Sequence, residues 1–180
     1  MASHPRHIVA PHIYLERERA ATAKNKYING EMYATAGASE AYNLITANAI
    51  AALHPQLRGR GCRLYASDMR IKVSATVMYT YPDVVVVCGQ RQFDDTRQDT
   101  LTNPLILMEV RSPSTEAYDR GEKFTHYRRL ESLQEYILIA QDKQRVEQYV
   151  RQTDGSWNLR IAEEETGEIV FQAVEGRLKL

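Results

Sequence analysis

The sequence predicts an α/β protein of the α+β type, in which two main helices flank a mixed, curved β-sheet and extra strands follow toward the C-terminus. Residues 81–88 and 105–110 are almost unbroken aliphatic runs, which are typical of strands buried on both faces. Residues 39–57 instead repeat their apolar positions at helical spacing. After residue 135 the chain changes to short segments separated by turn signals. Helices packed on a sheet accommodate both patterns.

The N-terminal half contains two helices and a hairpin. A short helix is predicted over 13–23. Asn29-Gly30 lies between alternating segments, which is a strong signal for a two-residue hairpin turn. The longer helix spans 39–57, where Ser39 can cap its start and His54-Pro55 is expected to end it.

The C-terminal half is mostly strands. One helix is predicted over 119–130, with Phe124 and Tyr127 on its apolar face. Besides the two aliphatic runs, strands are predicted at 62–66, 69–73, 77–80, 135–140, 145–151, 157–163 and 168–171.

Composition sets limits on organisation and partners. Residues 1–11 carry two prolines and little apolar content, so we expect a flexible N-terminal arm before a single domain over 12–180. Lys plus Arg and Asp plus Glu are equal at 23 each, so any DNA-binding surface must come from local clustering. The spacing of Cys62 and Cys88 predicts reduced thiols in a cytoplasmic protein. No apolar run reaches the ~20 residues of a membrane span, and exposed strand edges within 135–171 favour a homodimer.

Asp83 and Glu109 are the residues that most strongly suggest an enzyme. Each is a lone carboxylate in an aliphatic strand, where an acid is costly unless a cation meets it. If the two strands are antiparallel neighbours, the start of the first lies beside the end of the second. The two acids would then share one end of the sheet and could bind one divalent cation, Mg²⁺ or Mn²⁺.

Asp83 and Glu109 also have ordinary structural interpretations. Pro82-Asp83 is a common turn pair. Glu109 could form a buried ion pair with Arg111 or Arg70.

Two cations follow Glu109 in the sequence. Arg111 shares its strand face, and Lys123 lies in the next helix. Hydrolysis of a phosphodiester by metal-activated water also needs a cation for the phosphate. Arginine cannot act as a general base, so Lys123 is the better candidate for positioning or deprotonating water. Lys123 could instead pair with Asp119 four residues earlier on a solvated helix face.

Basic side chains form two local clusters that could meet DNA phosphates. Solvated surface charge is the alternative interpretation. The clusters are Arg58, Arg60 and Arg63, and Arg120, Lys123, Arg128 and Arg129.

Motifs spread over residues 12–160 carry a family resemblance. They are Pro82-Asp83, Glu109-Val-Arg-Ser-Pro-Ser-Thr115, Asp119-Arg-Gly-Glu-Lys-Phe124, Leu133-Gln-Glu-Tyr136, Gly30-Glu31, Gly37-Ala-Ser39 and Ser67-Asp-Met-Arg70. The chain resembles the Uma-type family of bacterial endonuclease-like proteins, within the PD-(D/E)xK restriction-endonuclease-like superfamily. The resemblance implies a restriction-endonuclease-like core and a DNA endonuclease that uses Mg²⁺ or Mn²⁺.

The resemblance also assigns roles to individual residues. Asp83 and Glu109 would be the metal-binding acids, Lys123 the motif lysine moved to the following helix, and Glu31 the N-terminal acid. Arg111 would stand where the superfamily usually has its lysine.

Cations near these residues would contact phosphate. The predicted phosphate-binding residues are Arg111 and Arg120.

Two departures from the family pattern put catalysis in question. Relatives often carry an acid where this chain has Lys26, and a histidine where it has Tyr42. The alternative function is therefore a catalytically weakened domain of the same fold that binds nucleic acid or protein.

Overall fold

The two aliphatic runs form central strands of a six-stranded mixed sheet in the computed structural model, which describes residues 8–35, 37–163 and 167–179. The strands are β1 (Asn25–Ile28), β2 (Glu31–Ala34), β3 (Cys62–Ala66), β4 (Arg70–Val73), β5 (Met78–Thr80), β6 (Val84–Cys88), β7 (Thr100–Leu101), β8 (Ile106–Arg111), β9 (Glu135–Ala140), β10 (Arg145–Arg151), β11 (Trp157–Glu163), β12 (Glu168–Val170) and β13 (Arg177–Lys179).

The strands divide into three sheets among the described residues. The six-stranded sheet has the order β11-β10-β9-β8-β6-β3, and the five-stranded sheet has the order β2-β1-β5-β4-β7. Strands β12 and β13 form a separate hairpin. The predicted α+β class and the extra C-terminal strands are confirmed, but the strands divide between sheets instead of forming one curved sheet.

The first helix packs on the five-stranded sheet, and the others lie on the two faces of the six-stranded sheet. The helices are α1 (Pro11–Ala20), α2 (Glu40–Leu57), α3 (Glu116–Tyr118) and α4 (Phe124–Tyr127). A π-helical turn, Asp119–Lys123, joins α3 to α4. All residues at these junctions keep helical backbone angles, so we call the whole stretch the Lys123 helix.

Helix α2 ends at Leu57, as the predicted range does, although the chain stays helical through Pro55. Ser39 caps the helix by accepting a hydrogen bond from the Tyr42 N–H, as expected. Leu53 and Leu57 are almost fully buried one turn apart, so packing holds the last turn despite the proline.

The core lies on both faces of the six-stranded sheet because β6 and β8 are buried on both sides. Val84, Val86 and Met108 pack on the α2 side. Val85 and Leu107 pack on the side of the Lys123 helix. Both faces of the strands are therefore apolar, as the aliphatic runs predict.

The hairpin between β1 and β2 has its predicted turn. Asn29 and Gly30 both adopt positive φ, at 49° and 93°. A Cβ on Gly30 would lie 2.7 Å from a methyl carbon of Ile8, so only glycine fits there. Val9 donates to the Gly30 carbonyl at 2.8 Å. The predicted arm is therefore wrong for 8–11, which pack on the hairpin or begin α1; residues 1–7 lie outside the described part of the chain.

Cys62 and Cys88 are joined by a disulfide. The register of β3 and β6 sets the two residues directly opposite each other, although 26 positions separate them in sequence. The prediction of two reduced thiols is wrong, because sequence spacing carried no information about this register. In the described residues, the helices are all too short or too polar to cross a membrane.

Candidate active site

Asp83 and Glu109 meet at one end of the six-stranded sheet. Strands β6 and β8 are antiparallel, with Val84 opposite Met108, so the start of one strand lies beside the end of the other. The Asp83 N–H donates to the Met108 carbonyl at 3.2 Å, and its Oδ2 accepts the Val110 N–H at 2.6 Å. The Asp83 carboxylate is thus fixed against the β8 backbone on both sides of Glu109.

Glu109 forms a buried ion pair with Lys123. Its Oε1 accepts the Lys123 ammonium at 2.7 Å and the Tyr127 hydroxyl at 2.9 Å. The Glu109 and Lys123 side chains are only 5% and 3% exposed. The alternative prediction that Glu109 forms a buried ion pair is therefore confirmed, but the predicted partner is wrong. Glu109 pairs with Lys123, whereas Arg111 and Arg70 pair with other acids.

The π-helical turn orients two charged side chains toward the sheet. Lys123 also lies 3.4 Å from Asp119 Oδ1, and both side chains are buried. The predicted pair between residues 119 and 123 therefore exists, but it faces the interior and not solvent. The Tyr136 hydroxyl donates to the Asp119 carbonyl at 3.1 Å and holds the turn in place.

Tyr42 is the second anchor of Asp83. It lies in the first turns of α2 and donates its hydroxyl to Asp83 Oδ1. Burial raises the pKa of Asp83, while the hydrogen bonds from Tyr42 and the Val110 N–H oppose the shift. Burial and the neighbouring Asp83 carboxylate together raise the pKa of Tyr42, so its hydroxyl remains a donor.

The electrostatics of the Glu109 pair are dominated by desolvation. Burial raises the pKa of Glu109 although the Lys123 ammonium opposes the shift, and the charges of Asp83 and Asp119 add to it. Burial also disfavours the Lys123 ammonium, but Glu109 and Asp119 outweigh this and raise the pKa of Lys123. The lysine therefore stays protonated, and a cation entering the site would displace a proton from Glu109.

Lys26 borders the same cluster from the other sheet. Its ammonium lies 5.4 Å from the ring centroid of Tyr118, the residue before Asp119. The register of β1 and β5, Tyr27 opposite Tyr79, puts Lys26 opposite Thr80, three residues before Asp83. Burial lowers the pKa of Lys26 and the Lys123 ammonium adds to this, while the nearby carboxylates oppose it.

Glu31 lies at the hairpin turn, half-buried, and its carboxylate accepts a hydrogen bond from Tyr33. No contact between described residues joins it to Asp83, Glu109 or Lys123. Its role as a catalytic acid stays a prediction.

Arg111 and Arg120 belong to a separate buried ion-pair network around Glu147. Arg111 lies 3.0 Å from Glu147 and 2.8 Å from Glu116, with its side chain 1% exposed. Arg120 Nε donates to Glu147 at 2.8 Å. Burial of Glu147 would raise its pKa, but the hydrogen bonds from Arg120 and Arg145 outweigh this and lower it. Both guanidinium groups are therefore paired with carboxylates, and the predicted phosphate-binding roles of Arg111 and Arg120 stay predictions.

Most of the predicted basic clusters lie at the opposite end of the sheet. Cys62 is opposite Cys88, five residues along β6 from Asp83 or about 16 Å at ~3.3 Å per residue, and Arg58 and Arg60 precede it. Arg128 lies beside Arg151, near the start of β9 and far from the Glu109 end of β8. Lys123 and Arg120 are exceptions, because Glu147, which Arg120 contacts, lies at the level of Glu109 across β9. The two predicted clusters therefore do not form one basic surface beside the acids.

The acids suit a hard divalent ion that keeps most of its waters. Asp83 and Glu109 offer carboxylate oxygens, and Mg²⁺ commonly uses one or two protein carboxylates. Glu109 Oε2 makes no hydrogen bond or ion pair to another described residue. Within the described residues, three or more His, Cys, Asp or Glu side chains nowhere converge as a metal cage. Two acids with bound water therefore fit Mg²⁺ or Mn²⁺ better than a structural metal centre.

The sequence model of a family described as "Uma2: Putative restriction endonuclease" matches residues 12–178. The chain belongs to the Uma2 family. It is similar to two uncharacterized proteins of Synechocystis sp. PCC 6803. One is 39% identical over 158 residues, covering 88% of this chain and 89% of the relative. The other is 36% identical over 149 residues, covering 83% and 77%.

The Uma2 fold also has a solved relative. A crystal structure from Anabaena variabilis, described as "a putative nuclease belonging to DUF820", matches with a TM-score of 0.72 at 17% identity. The match covers 89% of this chain and 88% of that chain. It confirms the nuclease-like fold predicted from the motifs.

Sequence reasoning missed part of this Uma2 site. Asp119 is a third buried carboxylate of the cluster, although the sequence indicated it only as a surface partner of Lys123. Tyr127 looked like an apolar helix residue but bonds Glu109. Its phenol oxygen was the available signal, because a buried tyrosine hydroxyl usually finds a partner.

Proposed function

We propose that this Uma2 protein is a divalent-metal-dependent DNA endonuclease that hydrolyses phosphodiester bonds with metal-activated water. One observation carries the proposal: Asp83 and Glu109 converge at a sheet end where the Lys123 ammonium contacts Glu109 at 2.7 Å. Two acids and a fixed ammonium are the groups that phosphodiester hydrolysis needs. Family membership and the nuclease-like fold support the proposal.

Asp83 and Glu109 would hold the ion. When bound, it would polarise the phosphate and lower the pKa of a coordinated water. Tyr42 and the Val110 N–H orient Asp83, so its carboxylate enters the site without a large reorganisation. Because Lys123 stays protonated, it orients water or stabilises phosphate charge and does not act as the base.

Cleavage of supercoiled plasmid and single-stranded DNA with Mg²⁺ or Mn²⁺ tests the proposal. The wild-type protein should cut in the presence of metal and stop when EDTA is added. Asp83→Asn should lower the rate at least about a hundredfold, since it removes a charged ligand from the acid pair. Asp68→Asn is a matched control, because that acid is exposed and pairs with Lys24. Equal rates for both variants would remove Asp83 from the reaction.

A catalytically weakened binding domain is the second candidate function. Two observations favour it: the Tyr42 hydroxyl occupies Asp83 Oδ1, and the Lys26 ammonium adds positive charge to the cluster. Both features reduce the attraction of the acids for a metal. DNA binding by fluorescence anisotropy, without cleavage at any metal concentration, would support this candidate over the endonuclease.

We also propose that the protein acts in the cytoplasm and forms a homodimer through β11. Strand β11 is an edge of the six-stranded sheet, with Leu159 and Ile161 45% and 48% exposed. Antiparallel pairing of two copies about Leu159 would set Trp157 opposite Ile161 and Asn158 opposite Arg160. This register joins apolar side chains and opposes no like charges. Light scattering after gel filtration should give twice the 20.6 kDa chain mass, and Leu159→Lys should return a monomer.

A further inference from the structure

Lys26 differs from the other cations near the site because its ammonium forms no ion pair with a carboxylate of the described residues. Lys123 contacts Glu109 and Asp119, and Arg111 contacts Glu147. Within the described ranges, Lys26 has no acid within 4.0 Å, and its recorded contact is the Tyr118 ring at 5.4 Å. A partly buried ammonium that faces an aromatic ring and has no anion retains its capacity to bind one.

The position of Lys26 is set by the backbone and not by a flexible loop. It lies on β1, whose pairing with β5 sets the neighbouring Tyr27 opposite Tyr79, four residues before Asp83. The same strand pairs with β2 along four residues, so β1 is held on both edges. The Lys26 side chain therefore reaches the acid cluster from a rigid sheet.

The net charge of the cluster limits the number of divalent ions that it can bind. Asp83, Glu109 and Asp119 supply three negative charges when ionised. Lys26 and Lys123 supply two positive charges when protonated, which leaves one net negative charge. One divalent ion and one phosphodiester group bring the total to zero, whereas a second divalent ion would leave two uncompensated positive charges in a desolvated site.

We propose that Lys26 is a phosphate-binding residue of the site and that its fixed charge restricts the site to one divalent ion. This inference rests on the proposed endonuclease function and specifies its substrate contact. Lys26 donates to a non-bridging oxygen of the scissile phosphate, while Lys123 remains bound to Glu109. The substrate class that this charge balance favours is a phosphodiester with one negative charge, and not a terminal phosphate with two.

Counting bound Mn²⁺ by electron paramagnetic resonance on the full chain, without substrate, tests the charge limit. The wild-type protein should bind one ion, and Lys26→Glu should bind two, because it replaces a repelling charge with a ligand. Two ions on the wild-type protein, or one on a folded Lys26→Glu variant, would overturn the limit. Circular dichroism establishes that each variant is folded.

The phosphate contact is tested by the salt dependence of binding to a short fluorescent duplex, with Ca²⁺ as the probe ion. Lys26→Gln should weaken binding about tenfold and lower the slope of log K against log salt by about 0.9, the value for one phosphate contact. Arg58→Gln, the same charge change at the opposite end of the sheet, should leave the slope unchanged. Equal slopes for the two variants would overturn the contact.

The two measurements separate this inference from the proposed function. If the wild-type protein cleaves DNA and binds two ions, the endonuclease proposal stands and the charge limit set by Lys26 fails. If the wild-type protein binds one ion and Lys26→Glu binds two, but neither cleaves DNA, the charge limit stands and the endonuclease proposal fails. A protein that binds no duplex would remove the phosphate contact together with the endonuclease.

Discussion

Removing the Lys123 charge should destabilise the protein in a way that depends on pH. Lys123→Met keeps the length of the side chain but leaves the Glu109 carboxylate buried without its ammonium at 2.7 Å. Losing one partner of a buried pair typically costs about 3–5 kcal/mol. Glu109 can avoid this cost only by taking up a proton, which is the direction in which burial already shifts its pKa.

The size of the effect follows from the linkage between protonation and folding. A carboxyl group whose folded pKa is raised contributes stability at low pH, and this stability is lost as pH rises above the unfolded pKa. The loss is about 1.4 kcal/mol per pH unit above an unfolded value of about 4.3. Relative to its stability at low pH, a variant that keeps Glu109 neutral loses about 1.6 kcal/mol at pH 5.5 and up to about 5 kcal/mol at pH 8. The wild type loses less, because the Lys123 ammonium opposes the rise in the Glu109 pKa.

Urea unfolding followed by the fluorescence of Trp157, the single tryptophan, measures this difference at both pH values. Lys123→Met with Glu109→Gln should lose the part of the pH dependence that Glu109 contributes, because that titrating group is gone. Lys24→Met, which breaks an exposed pair with Asp68, should change stability by less than about 1 kcal/mol. A loss in Lys123→Met that is equal at pH 5.5 and 8 would refute the buried-charge argument and point to packing.

Two further predictions concern the metal and the disulfide. Because burial raises the pKa of Glu109, Mn²⁺ must displace its proton, so apparent affinity should rise by up to about tenfold per pH unit below that pKa and level off above it. Calorimetry in buffers of different ionisation enthalpy measures the protons released, and Glu109→Gln should release fewer than the wild type. Reducing the Cys62–Cys88 disulfide should lower the free energy of unfolding by about 3.5 kcal/mol, from the closure of a loop with 26 residues of separation. Cys62→Ser should match the reduced protein in urea unfolding, and a stability unaffected by reductant would contradict the loop argument.

The local elements of the fold could be predicted because each depends on neighbouring residues. The Asn29-Gly30 turn, the Ser39 cap and the buried β6 and β8 strands are all present. Boundaries that depend on packing were less accurate: the helix predicted over 119–130 begins at Glu116 and ends at Tyr127. The π-helical turn before α4 gave no signal that periodicity could detect.

The partners of the charged residues were the least predictable feature. The alternation of side chains along a strand predicts that Arg111 and Glu109 lie on the same face of β8. It does not predict that Glu147, from β10, lies within 3.0 Å and takes the guanidinium. The Cys62–Cys88 bond has the same origin, since a register between strands, and not a spacing along the chain, sets the two residues opposite each other.

The sequence by itself determined the class of fold, the family and the acids that the site is built on, because aliphatic periodicity, turn residues and short motifs are local properties. Only the tertiary structure decided that Lys123 neutralises Glu109, that Tyr42 holds Asp83, and that Lys26 faces the Tyr118 ring. Desolvation and ion pairing depend on what surrounds a side chain in space. Those surroundings come from strands and helices that are distant in sequence, and are fixed only when the sheets pack.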